Sequence, residues 1–296
     1  MTVPANAPET RLTRWGVSSA TGVLKDVLLC RPEYYRWNPV NRASRETLAE
    51  GIVLTLDDIK AQHREFEDAL DQAGVRRHYL VPESHLPYQC YTRDSSQMTP
   101  WGVAHLMMQA ETRRGEYASI INFYQNAEVP VWKWCTRGKL EGGDIHIIRE
   151  GLLLIGYSGV RSDYEGAKTF ADWFEAEGWE TRLVPFSDHF LHYDTLFCMV
   201  TDRLGVACLD VMDDETKAWL GAHRIDLTPV SYREASRASC NVLSLGADRV
   251  ISPRENRDLN VRLKANGIRV YDPNYRLFTM GGGSVRCTSM ELFREN

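Results

Sequence analysis

A helix, a stop and a strand follow one another five times along this chain, and that recurrence restricts its architecture more than any single motif. Ile59, Phe66 and Leu70 fall on one helix face, Gly74 stands where a left-handed cap ends a helix, and 75–81 has strand composition. The pattern returns as 117–125 then 129–134, 164–177 then 179–184, 215–222 then 225–230, and 256–266 then 268–271. The stops Gly74, Asn126, Gly178, Ala222 and Gly267 lie 52, 52, 44 and 45 residues apart, a period that suggests structural repeats; generic α/β alternation is the alternative. Short β-rich runs, such as 145–148 with 152–155 and 196–200 with 206–210, sit between stops and helices, so each unit reads as several strands and a helix. No Pro/Ser/Gly-rich linker separates the units, and we expect one domain over 1–296 with 1–20 as an N-terminal extension.

Charge narrows the partners. With 35 Lys and Arg against 40 Asp and Glu the net charge is −5, which offers no basic field for a polyanion, so nucleic acid is not expected as a main partner. Residues 1–16 hold no apolar run of signal-peptide type and no stretch approaches a membrane span, so we expect a cytoplasmic protein with no membrane partner. Seven scattered cysteines without a CxxC pair disfavour disulfides and structural zinc, and most are expected to be small buried apolar residues. Neither a Walker loop, GxGxxG nor HExxH occurs, so we expect no metal and no cofactor.

Polar clusters fall at similar offsets after the stops: Arg93 and Asp94, Glu141, His192 and Cys287, with Asn241 a candidate from the fourth unit. If the units surround an axis, equivalent loops converge on one pocket. Leu140-Glu141-Gly142-Gly143-Asp144 precedes an apolar strand; a glycine hairpin turn with solvated acids is the plain alternative. His192 and Asp194 share a face if 192–200 is extended, so a carboxylate would orient an imidazole; a solvated strand end is the alternative. Gly281-Gly282-Gly283-Ser284-Val285-Arg286-Cys287 places a thiol after a loop that turns sharply or admits a ligand to its backbone. Beside Arg286 and open N–H groups, that thiol is expected to have a lowered pKa and to act as a nucleophile. Trp37, Trp101 and Trp134 are expected to fill core, with walling the pocket the alternative, and His146 is expected to be structural.

Tyr91-Thr92-Arg93-Asp94, Leu140 to Asp144, Gly156-Tyr157-Ser158-Gly159-Val160-Arg161, His192-Tyr193-Asp194 and Gly281 to Cys287 resemble, in order, the motif series of the guanidino-group modifying superfamily. The resemblance covers residues 20–292. It implies a five-bladed, pseudo-symmetric α/β propeller of ββαβ-type repeats. It also implies Cys287 as nucleophile, His192 as general acid and base, and Glu141 as its partner and a guanidinium ligand. Asp94 and Asp194 would hold guanidinium nitrogens, Arg161 a substrate α-carboxylate, and Arg93 and Asp144 would complete the binding set. Ser162-Asp163 departs from the usual Thr-Asn after that arginine, which puts the amino-acid end of the substrate in question.

The physics suits these roles. A guanidinium is planar, permanently charged and resonance-stabilised, so it becomes an electrophile only when carboxylates fix it beside a strong nucleophile. The expected function is hydrolysis of the guanidino group of arginine or a derivative through a covalent amidino-thioether, yielding a ureido product such as citrulline plus ammonia or an alkylamine. The chain's length is that of the compact dimethylarginine hydrolases, whereas Leu-Glu-Gly-Gly-Asp reads more like the deiminases. An amidinotransferase passing the group to an amine is the first alternative and a non-catalytic guanidine binder the second. The partner expected is a small guanidino substrate; a homo-oligomer is left open.

Overall fold

The computed structural model describes residues 12–296. Each unit builds one three-stranded sheet of an antiparallel pair and a third strand returned in parallel by a helical crossover; in four of the five the antiparallel pair is a hairpin. In the first unit β1 (Val23–Cys30) is followed by α1 (Arg42–Ala49) and α2 (Leu56–Gln72), which returns to β2 (Arg76–Leu80), parallel to β1. The second holds β3 (Ser96–Thr99), β4 (Gly102–His105), α3 (Tyr117–Asn126) and β5 (Val131–Trp134). The third holds β6 (Ile145–Arg149), β7 (Leu152–Tyr157), α4 (Tyr164–Ala176) and β8 (Glu180–Pro185).

The fourth unit comprises β9 (Phe197–Met199), β10 (Leu204–Ala207), α5 (Asp214–Ala222) and β11 (Asp226–Pro229), followed by the single turn α6 (Tyr232–Ala235). The fifth comprises β12 (Leu243–Gly246), β13 (Arg249–Ile251), α7 (Arg257–Ala265) and β14 (Arg269–Tyr271). After α8 (Arg276–Met280) the chain ends in β15 (Met290–Glu295), which pairs antiparallel with β1 and completes the first sheet. The circle is closed by strands from opposite ends of the sequence. β1 also lies against β12, β15 against β3 and β12 against β9, so strands of neighbouring units meet inside the ring, the five-bladed propeller that the motif series implied.

Helix ends explain why five units were readable. Gly74, Gly178 and Gly267 have φ of 75°, 83° and 79°, the left-handed stop that glycine adopts without a Cβ penalty. In the second and fourth units Glu128 (φ 55°) and Arg224 (φ 59°) take that conformation, just beyond the stops read at Asn126 and Ala222. Of the expected extension, residues 1–11 lie outside the described residues. The remainder packs on the first sheet: Gly16 bridges Phe293, and Leu12 and Val17 are buried. Trp134 departs from the core-filling expectation, being 49% exposed and stacked on His105.

Candidate active site

The loops that lead into β3, β6, β9, β12 and β15 carry the chemistry. Leu140 bridges Met107, which presents Glu141 at the mouth of the third unit; the backbone then tightens into a 3₁₀ turn, Gly142–Asp144, before β6. Both glycines have ordinary negative φ, so the hairpin-turn alternative fails. What they provide is room. A Cβ on Gly143 would lie 2.6 Å from the His192 ring, and one on Gly142 would strike the Arg93 carbonyl.

His192 is the N-cap of a 3₁₀ turn, Tyr193–Thr195, rather than part of a strand. The turn separates it from Asp194, and the expected imidazole–Asp194 pairing is replaced by two other acids. His192 Nε2 lies 2.8 Å from Glu141 Oε2 and Nδ1 lies 3.8 Å from Asp94 Oδ1. Burial lowers the affinity of this imidazole for a proton, but Asp94, Asp144 and Glu141 outweigh it and lift the pKa to about 9. The ring is therefore an imidazolium at neutral pH. For Glu141, burial favours the neutral acid, yet Arg161 at 3.0 Å and His192 hold it well below the usual carboxylate range.

Cys287 is 4% exposed and borders the same cavity as His192. Its Sγ accepts from Asn241 Nδ2 at 3.1 Å and lies 3.7 Å from Asp194 Oδ2. Asn241 Oδ1 takes the backbone N–H groups of Arg286 and Cys287 at 3.0 and 3.4 Å. Those amides are committed, not open. Arg286 turns away to Asp194 (2.9 Å) and the Ile145 carbonyl (2.7 Å). The expectation of a lowered thiol pKa is overturned: burial, then the charges of Asp194 and Asp94, push it well above its ordinary value.

The cavity, open to solvent, is lined by Cys287, His192, Asp94, Arg113 and Arg161, with Tyr88, Tyr91, Val40, Asn41, Leu191 and Gly281 to Gly283 completing its walls. Arg113 carried no motif and was missed. It donates to Asp94 at 2.5 Å, doubly to Glu116 at 2.9 Å, and to the Tyr91 carbonyl at 2.8 Å. Glu141 and Asp194, expected to hold the guanidinium, stand behind the walls and do not line the cavity, and two further expected binding residues are placed elsewhere. Arg93 pairs with Glu291 at 3.0 Å on the axis, and Asp144 accepts from Ser162 (2.5 Å) and the Tyr193 amide (2.6 Å); neither lines the cavity. Burial raises Asp144 to about 7. Asp94, Glu141 and His192 bring one atom each within 4.8 Å, close enough to grip a small cation, but Arg113 and Arg161 already oppose the two carboxylates. A planar, hydrogen-bonding cation suits them better than a metal ion that requires undivided lone pairs.

Comparison with known proteins identifies relatives of the chain. A family model described as N,N dimethylarginine dimethylhydrolase, eukaryotic, matches residues 31–294. The chain is 28% identical to the Bacillus subtilis uncharacterized protein YkgA over 277 residues, covering 92% of this chain and 93% of that protein. It is 26% identical to an arginine deiminase of Listeria welshimeri, covering 71% of this chain and 63% of the deiminase. Among solved structures it resembles a dimethylarginine dimethylaminohydrolase of Pseudomonas aeruginosa, a cysteine-to-serine mutant complexed with citrulline. The TM-score is 0.76 at 21% identity, over 92% of this chain and all of that one.

Proposed function

The chain belongs to the N,N-dimethylarginine dimethylhydrolase family, within the guanidino-group modifying superfamily, and from that membership we propose that it is a C–N hydrolase of guanidino compounds. The observation that carries the reading is the meeting of a thiol, an imidazolium and a carboxylate on the walls of one cavity, Cys287, His192 and Asp94, with Glu141 and Asp194 directly behind. Relatives named as arginine deiminase support the reaction class.

In this mechanism a guanidinium lies between the acids and the sulfur. Its charge offsets Asp94 and Asp194, which removes the electrostatic part of the penalty on the Cys287 thiolate and lets the thiol proton pass to solvent once substrate is seated. The thiolate attacks the central carbon, forming a C–S bond. His192 gives its proton to the departing nitrogen as the C–N bond breaks, leaving an amidino-thioether and a neutral amine. The now neutral imidazole takes a proton from water. Hydroxide adds to the carbon, the C–S bond breaks with its electron pair on sulfur, the hydroxyl proton passes to solvent, and a ureido product leaves with the thiolate restored. Glu141 holds the imidazole ring by its Nε2, and Asn241 holds the sulfur.

Acid quenching followed by intact mass measurement tests this reading. Wild type turning over a guanidino substrate is expected to carry one amidino group on Cys287, and Cys287→Ser to show neither adduct nor turnover. Undiminished turnover by the serine variant would end the proposal.

A further inference from the structure

We propose that Arg286 is a positioning residue for the nucleophile: its guanidinium occupies the Asp194 oxygen that faces the Cys287 sulfur and so screens the thiolate from that carboxylate. The inference goes beyond the hydrolase reading above and rests on it only for the role of Cys287. Its first support is which oxygen is taken. Asp194 Oδ2 accepts from the Cys287 thiol at 3.7 Å and from Arg286 Nη1 at 2.9 Å, so the cation sits on the oxygen nearest the sulfur. Asp194 Oδ1 is buried and has no hydrogen-bond partner among the described residues. A guanidinium bonded to a carboxylate draws on its charge, and that bond weakens the hold of the same oxygen on a thiol proton.

The second support is what stations the guanidinium there. Its Nη2 donates to the Ile145 carbonyl at 2.7 Å, directly after the turn that carries Gly143 beneath the His192 ring. The backbone N–H of Arg286 donates to Asn241 Oδ1 at 3.0 Å, and the same oxygen takes the Cys287 amide at 3.4 Å. The side chain is thus tied to the third and fourth units while its backbone is tied to the loop before β12, beside the sulfur. From so fixed a backbone a planar fork reaches an acid of one unit and a carbonyl of another at once, where a lysine ammonium is a compact point charge. Arg286 and Asp194 are both buried, so water does little to screen either.

No second cation shares the task. Among the described residues Arg286 alone forms an ion pair with Asp194. Arg93, which also feels Asp194, is paired with Glu291 at 3.0 Å. The other charged or titratable groups around the sulfur are engaged elsewhere. Asp94 is held by Arg113 at 2.5 Å, His192 and Arg161 share Glu141 Oε2 at 2.8 and 3.0 Å, and the Tyr91 phenol bonds Tyr35 at 2.7 Å. Burial, then Asp194 and Asp94, keep the thiol protonated at rest, and the Ser284 amide and Arg286 pull the other way. A carboxylic acid gives up its proton well before a thiol, so without Arg286 the uncovered charge of Asp194 falls on the sulfur. A bound guanidinium would then have a bare carboxylate to offset before the thiolate could form.

The test is alkylation of the full chain by iodoacetamide at about pH 8, with Cys287 followed by peptide mass spectrometry; it needs no substrate, and the thiolate fraction sets its rate. Arg286→Gln removes the charge and should slow alkylation about tenfold or more relative to wild type, while Arg286→Lys, which keeps the charge without the fork, should fall between the two. Adding Asp194→Asn to Arg286→Gln removes both charges and should return the rate to within about threefold of wild type. Mere loosening of the loops would speed alkylation, and the second change would not restore the wild-type rate. Asp194→Asn alone, with Arg286 unopposed, should react about tenfold faster than wild type, and it tests the same balance should Arg286→Gln fail to fold. Arg286→Gln as fast as wild type, Arg286→Lys no faster than Arg286→Gln, a double variant that stays slow, or Asp194→Asn no faster than wild type overturns the positioning role and leaves the hydrolase reading standing. Cys287 unalkylated in wild type and in every variant overturns its reading as the nucleophile, and this inference with it.

Discussion

Cys287 carries a thiol that its surroundings keep protonated, while His192 carries an imidazole that its surroundings keep charged. Each is the reverse of what a free nucleophile and base would be, and the reactive pair, thiolate with imidazolium, is therefore a minor form that grows with pH up to the lower of the two pKa values. We predict that kcat/KM rises about tenfold per pH unit and levels near pH 9, where His192 begins to lose the proton it must donate. Iodoacetamide alkylation of Cys287 in the free protein should follow the same rise; a fast, pH-independent reaction at neutral pH would contradict the protonated resting thiol. Residue types were legible in the sequence because motifs fix them, but partners were not. Arg286 is adjacent to Cys287 in sequence yet bonds Asp194, and Arg113 matters only because the turn before α3 brings it onto Asp94. Asn241, singled out by its offset alone, lands on the sulfur.

At the scale of elements, the five helix-stop-strand units were legible because period-3.6 apolar spacing and left-handed stops are local signals. The short α1 and α8 and the 3₁₀ turns at Gly142 and Tyr193 were not, since contacts made elsewhere in the fold decide them. Glycine runs were visible, and their purpose was hidden. Gly281 and Gly283 lie directly under the Tyr35 hydroxyl and the Tyr91 ring, as Gly143 lies under His192; these are close approaches that no local pattern encodes. Gly143→Ala tests the point. Its Cβ would meet His192 Cγ and Nδ1 at 2.6 Å and push the imidazole off Glu141 and Asp94. Because about 1 Å of misplacement can cost on the order of a hundredfold in rate, we expect kcat to fall by about that factor, with the unfolding midpoint lowered as well because the displaced ring leaves buried carboxylates unpaired. A variant with normal kcat would show that the glycine is not needed for the ring's position.

The ring as a whole depends on a join that the sequence does not announce: 290–295 has no hairpin partner nearby, and its mate is β1, some 270 residues away. Glu291, on that last strand, lies at the axis where three units meet. It pairs with Arg93 (3.0 Å), which leads into β3, and with Arg294 (3.2 Å), whose own Nη2 donates to the Ser244 carbonyl of β12 at 2.7 Å. Burial favours the neutral acid, but Arg294, Arg93 and Arg286 together hold Glu291 at about 2, against an ordinary value of 4.5. A depressed carboxylate stabilises the fold fully above its unfolded value and loses that contribution as pH falls through the folded one, here between about 4.5 and 2. The shift corresponds to about 3 kcal/mol. Glu291→Gln keeps the shape and leaves two buried guanidiniums facing an amide, so we expect a loss of about 3–5 kcal/mol in urea unfolding at pH 7. The same argument fixes how that loss varies with pH. Between pH 5 and 2 wild type should weaken towards the variant, because protonation does to Glu291 what the substitution has already done, and the gap between the two urea midpoints should narrow. A gap that stays constant down to pH 2 would mean that the axis is held by packing and backbone pairing, with the Glu291 charge contributing nothing to ring closure.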